Sequence, residues 1–270
     1  MSKKYLHDIW SSGFIGNLYS KIPKKEKGKK KKNCKILCII PARSGSKGIK
    51  DKNIKNFNGH PLMCWSINQA KASKYLKNMK IIVSTDCENY ANIAKSYGAQ
   101  VPMLRPKDIS QDKSTDYEFV SYTLKWLRNN ENYNPDIILQ LRPTQPLRKV
   151  SDIDNAIQKF LEVRNYYDSL RSVVEFPKSP YKMYNIKDDK LIPLYDNVDD
   201  IIEPINQCRQ ILPKVYLHNG YIDILNTDIV ENGTVSGQNI YPYLMDEKDT
   251  IDIDTPEDWI KAEKALTVFE

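Results

Sequence analysis

Arg43, Lys47, Lys50 and Lys52 share the stretch PARSGSKGIKDKN, residues 41 to 53, with Gly45 and Gly48, directly after the apolar run CKILCII. Glycine lets a backbone approach a ligand closely, and successive amides in such a loop can form an anion-binding concavity. Arginine can fork two bonds to phosphate, while lysines act as mobile point charges. The loop matches neither GxxxxGK[ST] nor GxGxxG. It is nevertheless expected to hold phosphate, and its charge density suits a triphosphate; a solvated turn is the competing reading. Near the other end of the chain, Asp252 and Asp254 stand two apart in IDIDTPED. In a strand that spacing points both carboxylates to one side, where they repel unless a cation lies between them. Mg2+ takes one or two protein carboxylates together with substrate phosphates, so the pair is expected to bind that metal beside the phosphate loop. The plainer reading is a polar strand end that caps the following helix.

Two further clusters carry donors. LRPTQPLR, residues 141 to 148, brings Arg142, Thr144, Gln145 and Arg148 to a proline-stiffened turn after the strand-like DIILQ. NQCRQILPKVYLHNGYIDI places Arg209 and Asn219 near aromatic residues, a combination suited to an acidic sugar or another carboxylate. His218 stands alone in sequence and reads as a structural histidine.

The elements that must position these residues alternate. KILCIIPA, MKIIVSTD and PDIILQLRP read as buried strands rich in Ile, Val and Leu, and helical spacing fills HPLMCWSINQAKAS, CENYANIAKSYG and STDYEFVSYTLKWLRNN. In the last of these, Phe119, Val120, Leu124 and Leu127 share a face. Near-continuous apolar strands between helices mean a parallel sheet covered on both faces, with ligands at the carboxyl ends of the strands. The cationic loop and the arginine turn both follow such ends. Residues 176 to 215 hold five prolines and no clean helix, and read as an inserted β-rich arm. TIDID is expected to return to strand, and TPEDWIKAEKALTVF to close as a helix with Thr255 as N-cap and Pro256 at its first position.

The net charge of +7 is local. Residues 1 to 35 carry eleven lysines against Asp8 and Glu26, which leaves the other 235 residues at −2. Nucleic-acid binding by the globular body therefore loses its main support. Residues 1 to 34 are expected to form a lysine-rich, disordered tail with possible contacts to acidic partners. No run nears 18 apolar residues, so no transmembrane segment is expected. Five scattered cysteines without metal-ligand spacing fit reduced thiols and a cytoplasmic setting, with a nuclear one open through the lysine block.

The ordered set PARSGSKGIKDKN, VSTD, LRP, LRPTQPLR, CRQILP followed by NGYIDI, and IDIDTPED resembles the acylneuraminate cytidylyltransferase family, from about residue 35 to the C-terminus. The resemblance implies an α/β fold, a mostly parallel, Rossmann-like sheet flanked by helices, over residues 35 to 270. It implies that CMP passes from CTP to the hydroxyl of an acidic nine-carbon, sialic-acid-like sugar, with release of pyrophosphate. By the same resemblance Arg43, Lys47 and Lys52 hold the phosphates, beside the backbone of Gly45 and Gly48 expected from the loop itself, Asn53 and Arg105 face cytosine, and Asp252 and Asp254 bind Mg2+. Thr144, Arg209 and Asn219 match the sugar side, where Arg142 and Gln145 of the same turn are also expected to contact the sugar. A homodimer is implied too, with residues 176 to 215 as the arm that reaches a neighbour's sugar site.

The departures gather on the sugar half. Sialic-acid-specific members more often read LQPTSPLR, so Arg142 and Gln145 replace glutamine and serine. Leu217 stands for a common arginine, and Asp223 for a frequent tyrosine. A nucleotidyltransferase for another acidic sugar or a polyol phosphate is one alternative; a non-catalytic scaffold with a basic tail is another.

Overall fold

The computed structural model describes residues 34 to 267. The lysine-rich tail expected over residues 1 to 34 lies outside them except for Cys34. Ile36–Pro41 (β1) is almost wholly buried, and its residues alternate between two cores. Ile36, Cys38 and Ile40 face one, while Leu37 and Ile39 face the other. A strand apolar on both sides must sit inside a sheet covered on both faces.

Two two-residue strands, Asn56–Phe57 (β2) and His60–Pro61 (β3), make a small antiparallel ribbon after the cationic loop. Leu62–Ala72 (α1) follows, then Met79–Ser84 (β4) and Glu88–Ser96 (α2). Asp116–Glu131 (α3) starts with a capping box between Thr115 and Glu118, leads to Ile137–Gln140 (β5), and is followed by Val150–Val163 (α4). The first core packs α1, α2 and α4 on one face of the sheet. Phe119, Val120, Leu124 and Leu127 of α3 cover the other, as their spacing predicts.

The chain continues through Ser169–Glu175 (β6) into the inserted arm, which holds two hairpins. Tyr184–Lys187 (β7) pairs with Lys190–Pro193 (β8), and Asn197–Val198 (β9) with Ile201–Ile202 (β10). Tyr216–Asn226 (β11), Ile240–Met245 (β12) and the helix Pro256–Thr267 (α5) complete the fold. The main sheet has six strands in the order β12-β6-β11-β5-β1-β4. Its pairs are parallel except for β11, which runs antiparallel to both β5 and β6.

One expectation fails. TIDID is not a strand: residues 251 to 254 join no ladder. The segment instead lies across the carboxyl edge, tied by the Ile253 amide donating to the Thr144 carbonyl at 2.9 Å. A third small core anchors it, with Ile253 packed beside Phe57, Trp259 and Leu62. Thr255 and Asp258 do form the reciprocal start of α5: the Thr255 amide donates to Asp258 Oδ2 at 3.0 Å and the Asp258 amide to Thr255 Oγ1 at 3.2 Å.

Candidate active site

The loop after β1 is held in shape by its neighbours. Ser44 donates from its amide and its hydroxyl to the two oxygens of Asp86, at 2.7 and 2.6 Å. Burial raises the Asp86 pKa, but these bonds and the Arg105 charge outweigh it, and the carboxyl is held below its ordinary range. Asn53 Nδ2 donates to the Arg43 carbonyl at 2.9 Å and closes the loop from its far end. Gly45 has φ +73 and open space where a side chain would start, so its glycine serves the turn. Gly48 serves a close approach: a Cβ there would lie 2.4 Å from the Asp254 carbonyl oxygen. That contact is with the chain's own backbone rather than with a ligand. The loop's cations already face an anion. Arg43 pairs with Asp112 at 2.9 Å and Lys47 with the same carboxylate at 2.5 Å.

Lys52 joins this loop to the aspartate segment. Its ammonium donates to the Ile253 carbonyl at 2.8 Å and to Asp254 at 2.9 Å. Asp252 opens into the cleft while protein surrounds its sides. Burial pushes its pKa up and the charge of Asp254 adds to that, against a Thr144 hydrogen bond and the charges of Lys52 and Arg142. The same side is therefore reached by an irregular crossing segment rather than by strand alternation. Two oxygen donors, one with its charge disfavoured, suit a hard cation. No group of three or more His, Cys, Asp or Glu ligands occurs among the described residues. A cation here would complete its shell with substrate phosphates and water.

Arg105 lines the cleft and is nearly buried. It donates to Ser84 Oγ at 3.1 Å and to the Ser84 carbonyl at 2.6 Å, with its guanidinium 4.7 Å from the Phe119 ring centroid. Desolvation lowers its pKa to about 10, so it stays cationic at neutral pH.

The opposite end is an ion network. Arg142 pairs with Asp116 at 2.5 Å and with Asp223 at 3.5 Å. Burial pushes the Asp116 pKa up, but the Arg142 charge and hydrogen bonds from Arg142 and Gln140 hold it below the carboxylate range. Two departures from the resemblance, Arg142 and Asp223, are thus one matched pair. Gly220, at φ +64, lets β11 pass beneath Arg142; a Cβ there would meet Arg142 Cδ at 3.0 Å.

These groups share one cleft of about 640 Å3 at the carboxyl ends of β1, β4 and β5 and the bulged part of β11. Arg43, Lys47, Gly48, Lys52, Asn53, Arg105, Arg142, Thr144, Asn219, Asp252 and Asp254 all line it. Gly45, Gln145 and Arg209 do not line it. Gln145 is buried behind the wall and donates to the Asn219 carbonyl at 2.8 Å. Arg148, offered above as a donor, is also buried and ties Tyr221, Gln69 and the Arg142 carbonyl together. Arg209 sits exposed on the arm. Asp116, not named from sequence, and His218, read there as structural, also line the cleft. Asp116 reads as a helix-start acid, and His218 acquires a role only through contacts that a linear reading does not contain.

A family model described as Cytidylyltransferase matches residues 37 to 199. Post-translational flagellin modification protein B of Campylobacter coli is 33% identical over 228 residues, which cover 83% of this chain and 92% of that one. The CMP-N,N'-diacetyllegionaminic acid synthase of Legionella pneumophila is 32% identical over 238 residues, 86% of this chain and 96% of its own. The N-acylneuraminate cytidylyltransferase of Escherichia coli is 31% identical over 241 residues, and the chain spans only 52% of its length. Among solved structures, a CMP:2-keto-3-deoxy-manno-octonic acid synthetase complexed with CTP superposes with a TM-score of 0.63 at 15% identity, covering 87% of this chain and all of that one. At that identity the likeness concerns the fold.

Proposed function

The chain belongs to the cytidylyltransferase family, and from that premise we propose that it transfers CMP from CTP to the hydroxyl of a nonulosonic acid and releases pyrophosphate. What carries the reading is one cleft with a cationic loop, an aspartate pair and a buried arginine at one end, and a charged hydrogen-bonding wall at the other. Transfer to phosphorus asks little covalent chemistry of a protein; positioning and charge neutralisation supply most of it.

In this reading Arg43 and Lys47, released from Asp112, neutralise the triphosphate together with Lys52, which is held by Asp254. Asn53 and Arg105 read and support the base. Asp252 and Asp254 would hold Mg2+, which supplies charge neutralisation on the phosphates when bound. Thr144 orients Asp252 through its hydroxyl. The names of the relatives favour sialic- and legionaminic-type acceptors. The Arg142–Asp223 pair, unlike the glutamine and tyrosine common in sialic-acid-specific members, favours a nonulosonic acid other than N-acetylneuraminate.

The arm supports a dimer. Ile186 is 78% exposed, Ile202 72% and Leu191 64%, a concentration of apolar surface that a monomer would seldom leave in water. A second subunit covering it would bring Arg209 to a neighbour's sugar end. Equilibrium titration with CTP, UTP, ATP and GTP in Mg2+ tests the nucleotide half. Binding of CTP at least tenfold tighter than UTP is expected; equal affinity for all four contradicts it.

A further inference from the structure

His218 and Asp223 are five residues apart on β11, and in a regular strand they would face opposite sides. The register with β6 shows why they meet. His218 pairs opposite Val173 and Asp223 opposite Arg171, so residues 219 to 222 stand against Ser172 alone. The Ser172 hydroxyl secures this bulge, donating to Asn219 Oδ1 at 2.6 Å and accepting from the Ile222 amide at 2.8 Å. Because positions 171 and 173 share a face, the bulge returns both side chains to one side, and His218 Nε2 lies 2.8 Å from Asp223 Oδ1. Bulges beside active sites commonly re-aim a side chain in this way.

The chemistry follows from the partners. Asp223 is only 5% exposed, and its carboxylate accepts from Nε2 and faces Arg142 and, at 3.9 Å, Arg171. A carboxylate can only accept, so in the contact between them Nε2 is the donor, and the tautomer that makes this bond has its lone pair on Nδ1. Nδ1 makes no hydrogen bond among the described residues, and the ring lines the cleft. An imidazole oriented by a buried carboxylate and presenting a free nitrogen to a substrate is the arrangement of a general base.

Resting on the transfer reading above, we propose that His218 Nδ1 accepts the proton of the attacking sugar hydroxyl, with Asp223 as its positioning residue. As the sugar oxygen bonds to the α-phosphorus, the O–H proton passes to Nδ1 and the bond from the α-phosphorus to the pyrophosphate oxygen breaks. The imidazolium is stabilised by Asp223 and returns its proton to solvent once the product leaves. Arg142 on the cleft wall and Arg171 beside Asp223 oppose that charge; Asp116 offsets Arg142, and Asp252 lines the same cleft.

The test is the pH dependence of kcat for the wild type, His218→Gln and Asp223→Asn, with CTP saturating and the sugar that the wild type accepts. Glutamine can still donate to Asp223, so CTP affinity in His218→Gln is the control for folding. The proposal expects kcat at neutral pH to fall about 100- to 1,000-fold in His218→Gln. It also expects loss of the acid limb, an unchanged CTP Kd, and partial rescue of His218→Ala by free imidazole. A His218→Gln enzyme within about threefold of wild type, with the same pH profile, overturns it. So does a rise confined to the sugar KM with kcat and the acid limb intact. If the wild type binds CTP and transfers CMP to no acid sugar, the transfer reading itself fails, and the wild type alone reveals this.

Discussion

Asp252 carries a charge that the fold disfavours. Its pKa is raised in the folded chain, first by burial and then by Asp254, so its charged form is the costly one. A raised folded pKa gives stability that is fully present below the unfolded value and lost as pH rises through the folded one. Asp252→Asn is therefore expected to melt higher than wild type at pH 8, with the gap closing toward pH 4, and to lose activity at least about 100-fold. Thermal melts at the two pH values, with turnover beside them, check both halves. Asp112 offers the reverse test. It pairs with Arg43 and Lys47, the proposed phosphate ligands, as an exposed contact of modest strength. Asp112→Asn is expected to tighten pyrophosphate binding by about two- to fivefold at low salt. Unchanged binding would mean that the carboxylate and the phosphate occupy different places.

At the level of elements, the site depends on segments that cross the sheet's edge rather than on the strands themselves. The cationic loop and the IDID segment touch backbone to backbone at Gly48 and Asp254. Gly48→Ala is expected to cost about 1 to 3 kcal/mol of stability and to weaken CTP binding at the same time, because the added carbon must push one segment off the other. Gly45→Ala meets open space but holds φ +73, so it loads the turn alone, at about 1 to 2 kcal/mol, without moving Asp254. Denaturant melts and CTP titrations of the two variants separate these effects. Asp86 works in the opposite sense to Asp252. With its folded pKa lowered, its hold on Ser44 is present above the unfolded carboxylate range and lost as pH falls through the folded value.

Across the molecule, the strand and helix sequence around β1, β4 and β5 was legible because each element carries its own period and each strand is apolar on both faces. The cleft was legible for the same reason, since the cationic loop and the arginine turn follow strand ends. The crossing IDID segment was misread because Ile and Asp alternate as they would in a strand, while the Thr144 carbonyl that captures Ile253 lies a hundred residues away. Gln145 and Arg148 look like ligands in a loop and prove to be buried braces. His218 was passed over because a three-residue excess in one ladder, invisible to periodicity, is what gives it Asp223. The role proposed for the arm concerns a second chain. Replacing Ile186 and Ile202 with aspartate is expected to yield a monomer in sedimentation, with a raised sugar KM and an unchanged CTP Kd. A variant that stays dimeric would place the interface elsewhere.

The most direct measurement follows the phosphorus. Purified protein would be incubated with CTP, Mg2+ and a panel of nonulosonic acids, with CMP-sugar and pyrophosphate quantified together by phosphorus NMR. The cleft described here predicts one pyrophosphate per CMP-sugar, formed from CTP with a particular acid sugar and abolished in Asp252→Ala. Pyrophosphate release without a CMP-sugar, or equal transfer from UTP or ATP, would contradict it.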